Sequence, residues 1–138
     1  MSMYLSDIMT KNLVVVDVST TAFEAAKTMS EREIGGLVVT KQKKPIGIIT
    51  ERDLLKKVVA KNLKPDQVKV SDIMSTPLIT TPPNTPLYAA ADLMSKKHIR
   101  RLVIVKDDSP VGIVTSTDVI KSLDKYAQRL AGAFHYLR

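Results

Sequence analysis

The chain has no cysteine and no tryptophan. Lack of cysteine excludes disulfides, thiol catalysis and cysteine-ligated metal. Aromatic residues make up 4% of the 138 residues, two Phe and four Tyr. That is too few for a stacking platform on single-stranded nucleic acid. The two histidines, His98 and His135, have no second ligand at metal spacing. No run of some 18 apolar residues is present, so no membrane span is expected. Met1 to Asp7 has neither the basic region nor the apolar stretch of a secretory leader, and a cytoplasmic location is the expectation. Neither a G-x-x-x-x-G-K-[ST] nor a G-x-G-x-x-G loop occurs. No carboxylate pair and no nucleophile with its base stands out, so the chain reads as a non-enzyme.

What is present is an ordinary globular composition, 44% hydrophobic and 25% charged. At this length the chain buries roughly two-thirds of its unfolded surface. The net charge of +7 favours anionic partners: phosphorylated metabolites, nucleic acid or an acidic protein surface. The charge is spread out, with Lys41, Lys43 and Lys44 in one turn and Lys96, Lys97, Arg100 and Arg101 in one cluster.

The dominant feature is an internal duplication. Ser6-Asp7-Ile8-Met9 recurs 65 residues later as Ser71-Asp72-Ile73-Met74. The same offset carries Met29-Ser30 onto Met94-Ser95, Pro45 onto Pro110 and Asp53 onto Asp118. No gap is needed, and roughly 20 of about 55 paired positions are identical, far beyond chance at one fixed register. The repeats are set at 1–65 and 66–138, with Lys61 to Lys69 as linker.

Each repeat parses as β-α-β-β-α, an α/β (α+β) chain. Leu13–Val16 and Leu78–Thr81 are short extended pieces. Next comes a helix whose buried stripe is Ala22, Ala25, Ala26 and Met29, or Leu87, Ala90, Ala91 and Met94, at i, i+3, i+4, i+7. Thr20 and Thr85 are its expected caps, and Pro86 suits its first turn. Two strands follow, Leu37–Thr40 with Ile46–Ile49, and Leu102–Val105 with Val111–Val114. Continuous apolar runs of this kind predict burial on both faces, and the turns between them are the Lys-rich stretch that ends in Lys44-Pro45-Ile46 and Lys106-Asp107-Asp108-Ser109-Pro110. The closing helices present Leu54, Leu55, Val58 and Val59, and Val119, Ile120 and Leu123, extending to Ala127 and Leu130. The stretch 131–138 has no counterpart in repeat one. Its Phe134, Tyr136 and Leu137 either pack on a partner subunit or form a frayed or self-packed end.

The second strand of each pair ends in a heptad, Gly47-Ile48-Ile49-Thr50-Glu51-Arg52-Asp53 and Gly112-Ile113-Val114-Thr115-Ser116-Thr117-Asp118. Thr caps the next helix and Asp stands at its third position, which is a capping box. Most capping boxes bind only their own backbone. Two at matching places set up a paired site at strand ends, beside helix N-termini that favour anions. A carboxylate there can accept from two vicinal hydroxyls, as in ribose recognition. Arg100 and Arg101, with His98 beside them, offer forks for phosphate; equally, they are charges that keep a strand edge soluble. Repeat one has Gly35-Gly36 in their place, so the two sites should differ.

The doubled S-D-I-M opening, the β-α-β-β-α repeat and the G-h-h-T-x-x-D ending resemble the cystathionine beta-synthase (CBS) domain pair, or Bateman module, from Ser6 to about Tyr126. The resemblance implies a module with no catalytic domain attached, its repeats packed about a pseudo-twofold axis. It implies two clefts between the repeats that take adenosine-containing ligands: AMP, ADP, ATP, S-adenosylmethionine, sometimes NAD-type cofactors. Asp53 and Asp118 then hold ribose, and Thr50, Thr115 and Thr117 contact phosphate or ribose. His98, Arg100 and Arg101 reach phosphate. The adenine lies against Asn12, Leu13 and Val14 or Pro77, Leu78 and Ile79. A homodimer shaped as a flat disc and a regulated protein partner are also implied. The competing readings are a basic nucleic-acid-binding regulator and a structural dimerisation module with empty clefts.

Overall fold

The structure, a computed structural model, describes residues 3–11 and 13–135. The element order is β1 (Val15–Asp17), α1 (Ala22–Arg32), β2 (Gly36–Lys41), β3 (Lys44–Thr50), α2 (Glu51–Leu54), α3 (Val70–Ile73), β4 (Thr80–Thr81), α4 (Leu87–Lys97), β5 (Arg101–Lys106), β6 (Ser109–Thr115) and α5 (Ser116–His135). One sheet has the order β1-β2-β3 and the other β4-β5-β6. β1 lies parallel to β2 with α1 as the crossover, and β4 lies parallel to β5 with α4 as the crossover. This is the β-α-β-β-α repeat, twice.

The compact units do not follow the sequence repeats. One unit is 12–79 with 107–110, and contains Asp53. The other is 1–11, 80–106 and 111–138, and contains Asp118. Each S-D-I-M segment is therefore built into the unit of the other repeat's sheet. In the Asp118 unit, Leu5 is fully buried, its amide donates to the Thr85 carbonyl at 2.9 Å, and Ser6 donates to Pro83 at 3.0 Å. Thr10 then pairs with Ile113 of β6 through two hydrogen bonds of 3.0 and 3.1 Å. In the Asp53 unit, Ser75 pairs with Ile48 of β3 in the same way, at 2.8 and 3.2 Å. These pairings explain the glycine that opens each heptad. A Cβ on Gly47 would lie 2.7 Å from the Met74 sulfur and 3.1 Å from the Ser75 carbonyl. One on Gly112 would lie 2.6 Å from the Met9 sulfur and 3.1 Å from the Thr10 carbonyl.

The core of the Asp53 unit joins Ala22, Ala25 and Met29 of α1 to Leu37, Val39, Ile49, Val58, Val70 and Ile73. Leu87, Ala90 and Met94 of α4 are buried likewise, while Ala26 and Ala91 at the stripe's margin are half-buried. Burial on both faces holds for β2 and β5 but not for β3 and β6, whose residues alternate between buried and half-buried.

Several local expectations are corrected. Pro45 and Pro110 lie inside strands. The turns are shorter than expected and lie inside the expected stretches: Gln42-Lys43 and Asp107-Asp108, all four at positive φ, the geometry of a two-residue hairpin whose twist matches its strands. Lys41 and Lys44 form the last ladder pair, and a register shift beside Val39/Thr40 accommodates Pro45, which has no amide to donate. The cap of α1 is Thr21, whose hydroxyl accepts from Glu24 at 3.1 Å. The Thr85 hydroxyl instead donates to the Pro82 carbonyl, and Pro86 is the N-cap residue of α4. Short helical turns cover Leu5–Asp7 and Val70–Ile73. The end of the expected linker is structured, with Ala22 donating to Val68 at 2.7 Å and Val70 to Thr20 at 2.8 Å. Of the closing-helix residues, Val58 and Val119 are buried, whereas Leu55, Val59, Ile120, Leu123 and Leu130 are exposed. Helix α5 continues to His135; the roles expected for the Phe134 side chain, Tyr136 and Leu137 fall outside the described residues.

At the end of β1 the Ser19 hydroxyl donates to the Asp17 carboxylate at 2.6 Å and the Ser19 amide at 3.0 Å. These donors hold the Asp17 carboxyl below its ordinary value of 3.8. A carboxyl depressed in the folded state stabilises above its unfolded pKa, and that contribution is lost as pH falls through the folded one. An NMR titration should find Asp17 ionising below 3.8, and Ser19→Ala should move it back up.

Candidate functional site

Each heptad builds the expected strand, cap and helix, but the two carboxylates end in different surroundings. Asp53 is buried, with 5% of its surface exposed. Its Oδ2 accepts from the Thr50 amide and the Thr50 hydroxyl, both at 3.0 Å, while the Asp53 amide donates to the Thr50 hydroxyl at 3.2 Å. Two further groups close on it. The Ser75 hydroxyl lies 3.0 Å from Oδ1 and 3.2 Å from Oδ2, and the Lys57 ammonium lies 3.0 Å from Oδ1. Lys57 also donates to the Ile73 carbonyl at 2.8 Å. Hydrogen bonds to a charged group contribute about 1.5–3 kcal/mol each, so this cluster is a strong local tie.

Asp118 has the same capping box and less around it. Its Oδ2 accepts from the Thr115 amide at 3.0 Å, and its own amide donates to the Thr115 hydroxyl at 3.2 Å. It is half-buried. The counterparts of Lys57 and Ser75 are Ser122 and Thr10, and among the described residues no side chain is bonded to its Oδ1. The helices differ too. After Leu54 the chain widens into a π turn, Leu55–Val59, closed by the Ala60 amide on the Leu55 carbonyl at 2.9 Å, and Lys57 lies on it. α5 is regular α-helix over the matching residues.

The other candidates fall into two groups. The Asp118 unit holds Thr115, Thr117, His98, Arg100 and Arg101; the Asp53 unit holds Thr50, Leu13, Val14, Pro77, Leu78 and Ile79. Asn12 lies outside the described residues. The Ser116 amide donates to the Arg100 carbonyl at 2.8 Å, which fixes Arg100 beside the start of α5. The matching bond in the Asp53 unit runs from Glu51 to Gly35 at 3.1 Å. Arg101 opens β5. His98 also has a structural role. At φ 53° it ends α4 as a left-handed cap, its amide turned to Met94 and Ser95, as Glu33 does for α1. Val14 packs against the core of its unit, and the peptide before Pro77 is cis. A cavity of about 280 Å³ in the Asp118 unit lies between α4 and α5, lined by Met94, Ile99, Arg100, Ser116, Val119 and Leu123 among others. Of the candidates it touches only Arg100. Among the described residues no group of three or more His, Cys, Asp or Glu is placed to hold a metal. No described helix is long and apolar enough to cross a membrane.

Sequence reasoning missed Lys57 and Ser75. Lys57 carried a signal, since Asp followed by Lys at i+4 is a favourable helix pair. Ser75 carried none, because its contact depends on where the S-D-I-M segment docks.

Comparison with known proteins agrees with this geometry. The CBS domain model matches twice, over residues 5–60 and 70–125. The chain belongs to the CBS domain family and is a pair of such domains. It is 41% identical over 122 residues to an uncharacterised protein of Methanopyrus kandleri, covering 87% of this chain and 62% of that one; the chain thus spans under two-thirds of that relative's length. A conserved CBS domain protein of unknown function from Thermoplasma acidophilum superposes with a TM-score of 0.81 at 32% identity, covering 88% of this chain and 69% of that one. A hexameric CBS-CP12 protein from bloom-forming cyanobacteria superposes equally well, at 0.81 and 31% identity, covering 87% and 67%.

Proposed function

We propose that the chain is a non-catalytic regulatory module that binds an adenosine-containing ligand such as AMP, ADP, ATP or S-adenosylmethionine. In this reading Asp118 accepts from the ribose hydroxyls. Thr115 and Thr117 supply hydroxyls near the start of α5, and Arg100 and Arg101 supply positive charge for phosphate, with His98 beside them. The module works as a cytoplasmic self-associating protein, its repeats being 1–65 and 66–138. The hexameric assembly of the cyanobacterial relative supports self-association. A change in ligand occupancy acts on a partner through differential affinity for two states of the module.

The observation that carries this reading is the Asp118 carboxylate. Its capping bond occupies one oxygen and leaves the other for a ligand, with the Arg100 backbone held alongside. A ligand that binds only the folded chain stabilises it by roughly 2.7 kcal/mol at a hundredfold excess over Kd. Thermal melts with millimolar AMP, ATP, S-adenosylmethionine and NADH should therefore show a rise of several degrees for at least one of them. Asp118→Ala should remove that rise. If every ligand leaves the melt unmoved, the reading fails and the heptads are capping boxes alone. Steeply salt-dependent oligonucleotide binding would then favour the nucleic-acid regulator.

A further inference from the structure

We propose that the two heptads have divided their roles. Asp53 is an internal tie that fastens Ile73–Ser75 to the start of α2, and the chain carries its ligand capacity on Asp118 alone, one ligand per chain. The ligand half of this proposal rests on the adenosyl reading above; the tie stands without it.

The argument begins with lone pairs. An ionised carboxylate offers about four acceptor sites. At Asp53 they meet the Thr50 amide, the Thr50 hydroxyl, the Ser75 hydroxyl and the Lys57 ammonium, all within 3.2 Å. A ribose would have to displace the Ser75 hydroxyl or the Lys57 ammonium. A neutral hydroxyl in the ammonium's place gives up the attraction between opposite charges, so that exchange runs uphill. The ammonium is anchored at a second point, the Ile73 carbonyl, so it does not swing away freely. The π turn that carries Lys57 has no equivalent in α5.

The substitutions between the repeats point the same way. Where the Asp53 copy has Lys57, Glu51 and Gly35, the Asp118 copy has Ser122, Ser116 and Arg100. The first set fills the carboxylate, puts a negative charge in the first turn and omits the arginine. The second leaves the carboxylate half used and sets an arginine beside the start of α5. Lys57 and Ser75 are therefore the residues that decide which copy is available.

Two measurements on the intact chain test this. In ligand-free melts Asp53→Asn should lower the melting temperature by at least ~5 °C more than Asp118→Asn. Lys57→Met and Ser75→Ala should each lower it by a few degrees in the natural background and add nothing on top of Asp53→Asn. Should Asp53→Asn fail to fold, Lys57→Met and Ser75→Ala each need only differ from Ser122→Ala, which should be silent. Equal losses for Asp53→Asn and Asp118→Asn, or silent Lys57→Met and Ser75→Ala variants, overturn the tie. In calorimetric titrations with AMP, ATP and S-adenosylmethionine, the natural chain should take one equivalent and Asp118→Asn none. Two equivalents, with one surviving in Asp118→Asn, overturn the division of roles. No binding by any of the three overturns the ligand half together with the adenosyl reading, while the melts still decide the tie.

Discussion

Replacing Leu5 by alanine should destabilise the protein by about 2–5 kcal/mol, the range for removing a fully buried leucine from a packed core. By position in the chain, Leu5 is a poor candidate for so large an effect. It lies just ahead of the repeated S-D-I-M in a segment with little regular structure of its own. Its burial is nevertheless complete, and hydrogen bonds from Leu5 to Thr85 and from Ser6 to Pro83 hold it in the unit built from the second repeat. The damage should be local in a way that sequence order does not suggest. Amide exchange should accelerate more at Leu102, Val103 and Ile104 than at Leu37, Val38 and Val39. The opposite pattern would mean that Leu5 is seated in the unit of its own repeat.

The second large effect is expected at the glycines. Gly47 and Gly112 stand in β3 and β6, where valine has a strand preference over glycine of up to ~1 kcal/mol. Propensity alone makes Gly112→Val stabilising. Sterics reverse the sign. The first added carbon would already lie 2.6 Å from the Met9 sulfur, 2.9 Å from its Cγ and 3.1 Å from the Thr10 carbonyl. A thioether can swing aside, but the carbonyl belongs to the pairing with Ile113 and cannot move without breaking it. Overpacking of this kind costs about 1–3 kcal/mol, and a lost backbone pair adds to it. Gly47→Val should behave alike against Met74 and Ser75. Gly132 is the control: it is an exposed helical residue, and a Cβ there meets nothing within 4 Å. Gly132→Ala should stabilise by about 0.5–1 kcal/mol. Urea unfolding of the three variants checks both signs.

These two cases mark where sequence reading stops. The duplication, the order of elements and the buried stripes of α1 and α4 were legible, because each is written in local spacing: one ungapped offset and a helical period. The capping boxes at Thr50 and Thr115 were legible for the same reason. The turns are placed rightly but drawn too long, because proline is a loud signal and Gln42-Lys43 a quiet one. Neither of those residues advertises positive φ, and the two-residue connection between β2 and β3 imposed it. Burial on both faces was overestimated for β3 and β6, since their apolar runs match those of β2 and β5 while only alternate residues are buried. Least legible was the docking of Met9-Thr10 and Met74-Ser75, which depends on contacts far apart in sequence. Everything downstream of that docking was hidden with it: the need for Gly47 and Gly112, the closure of Ser75 over Asp53, and so the unequal standing of two motifs that look alike on paper.

The crossed seating of these segments also sets a timetable for folding during synthesis. The sheet and helices of the Asp53 unit, up to the Ser75–Ile48 pairing, lie within residues 12–79. Nearly all of that unit has been synthesised while β5 and β6 are still unmade. Residues 3–10 have no such early partner. Their seat is on β6 and around Pro83 to Leu87, and Thr10 must wait about 100 residues for Ile113, the kind of long closure that slows folding. Until then Leu5 and Met9 stay without their partners, an apolar stretch open to solvent or to chaperones. The segment is made before the whole Asp53 unit and seated only after it.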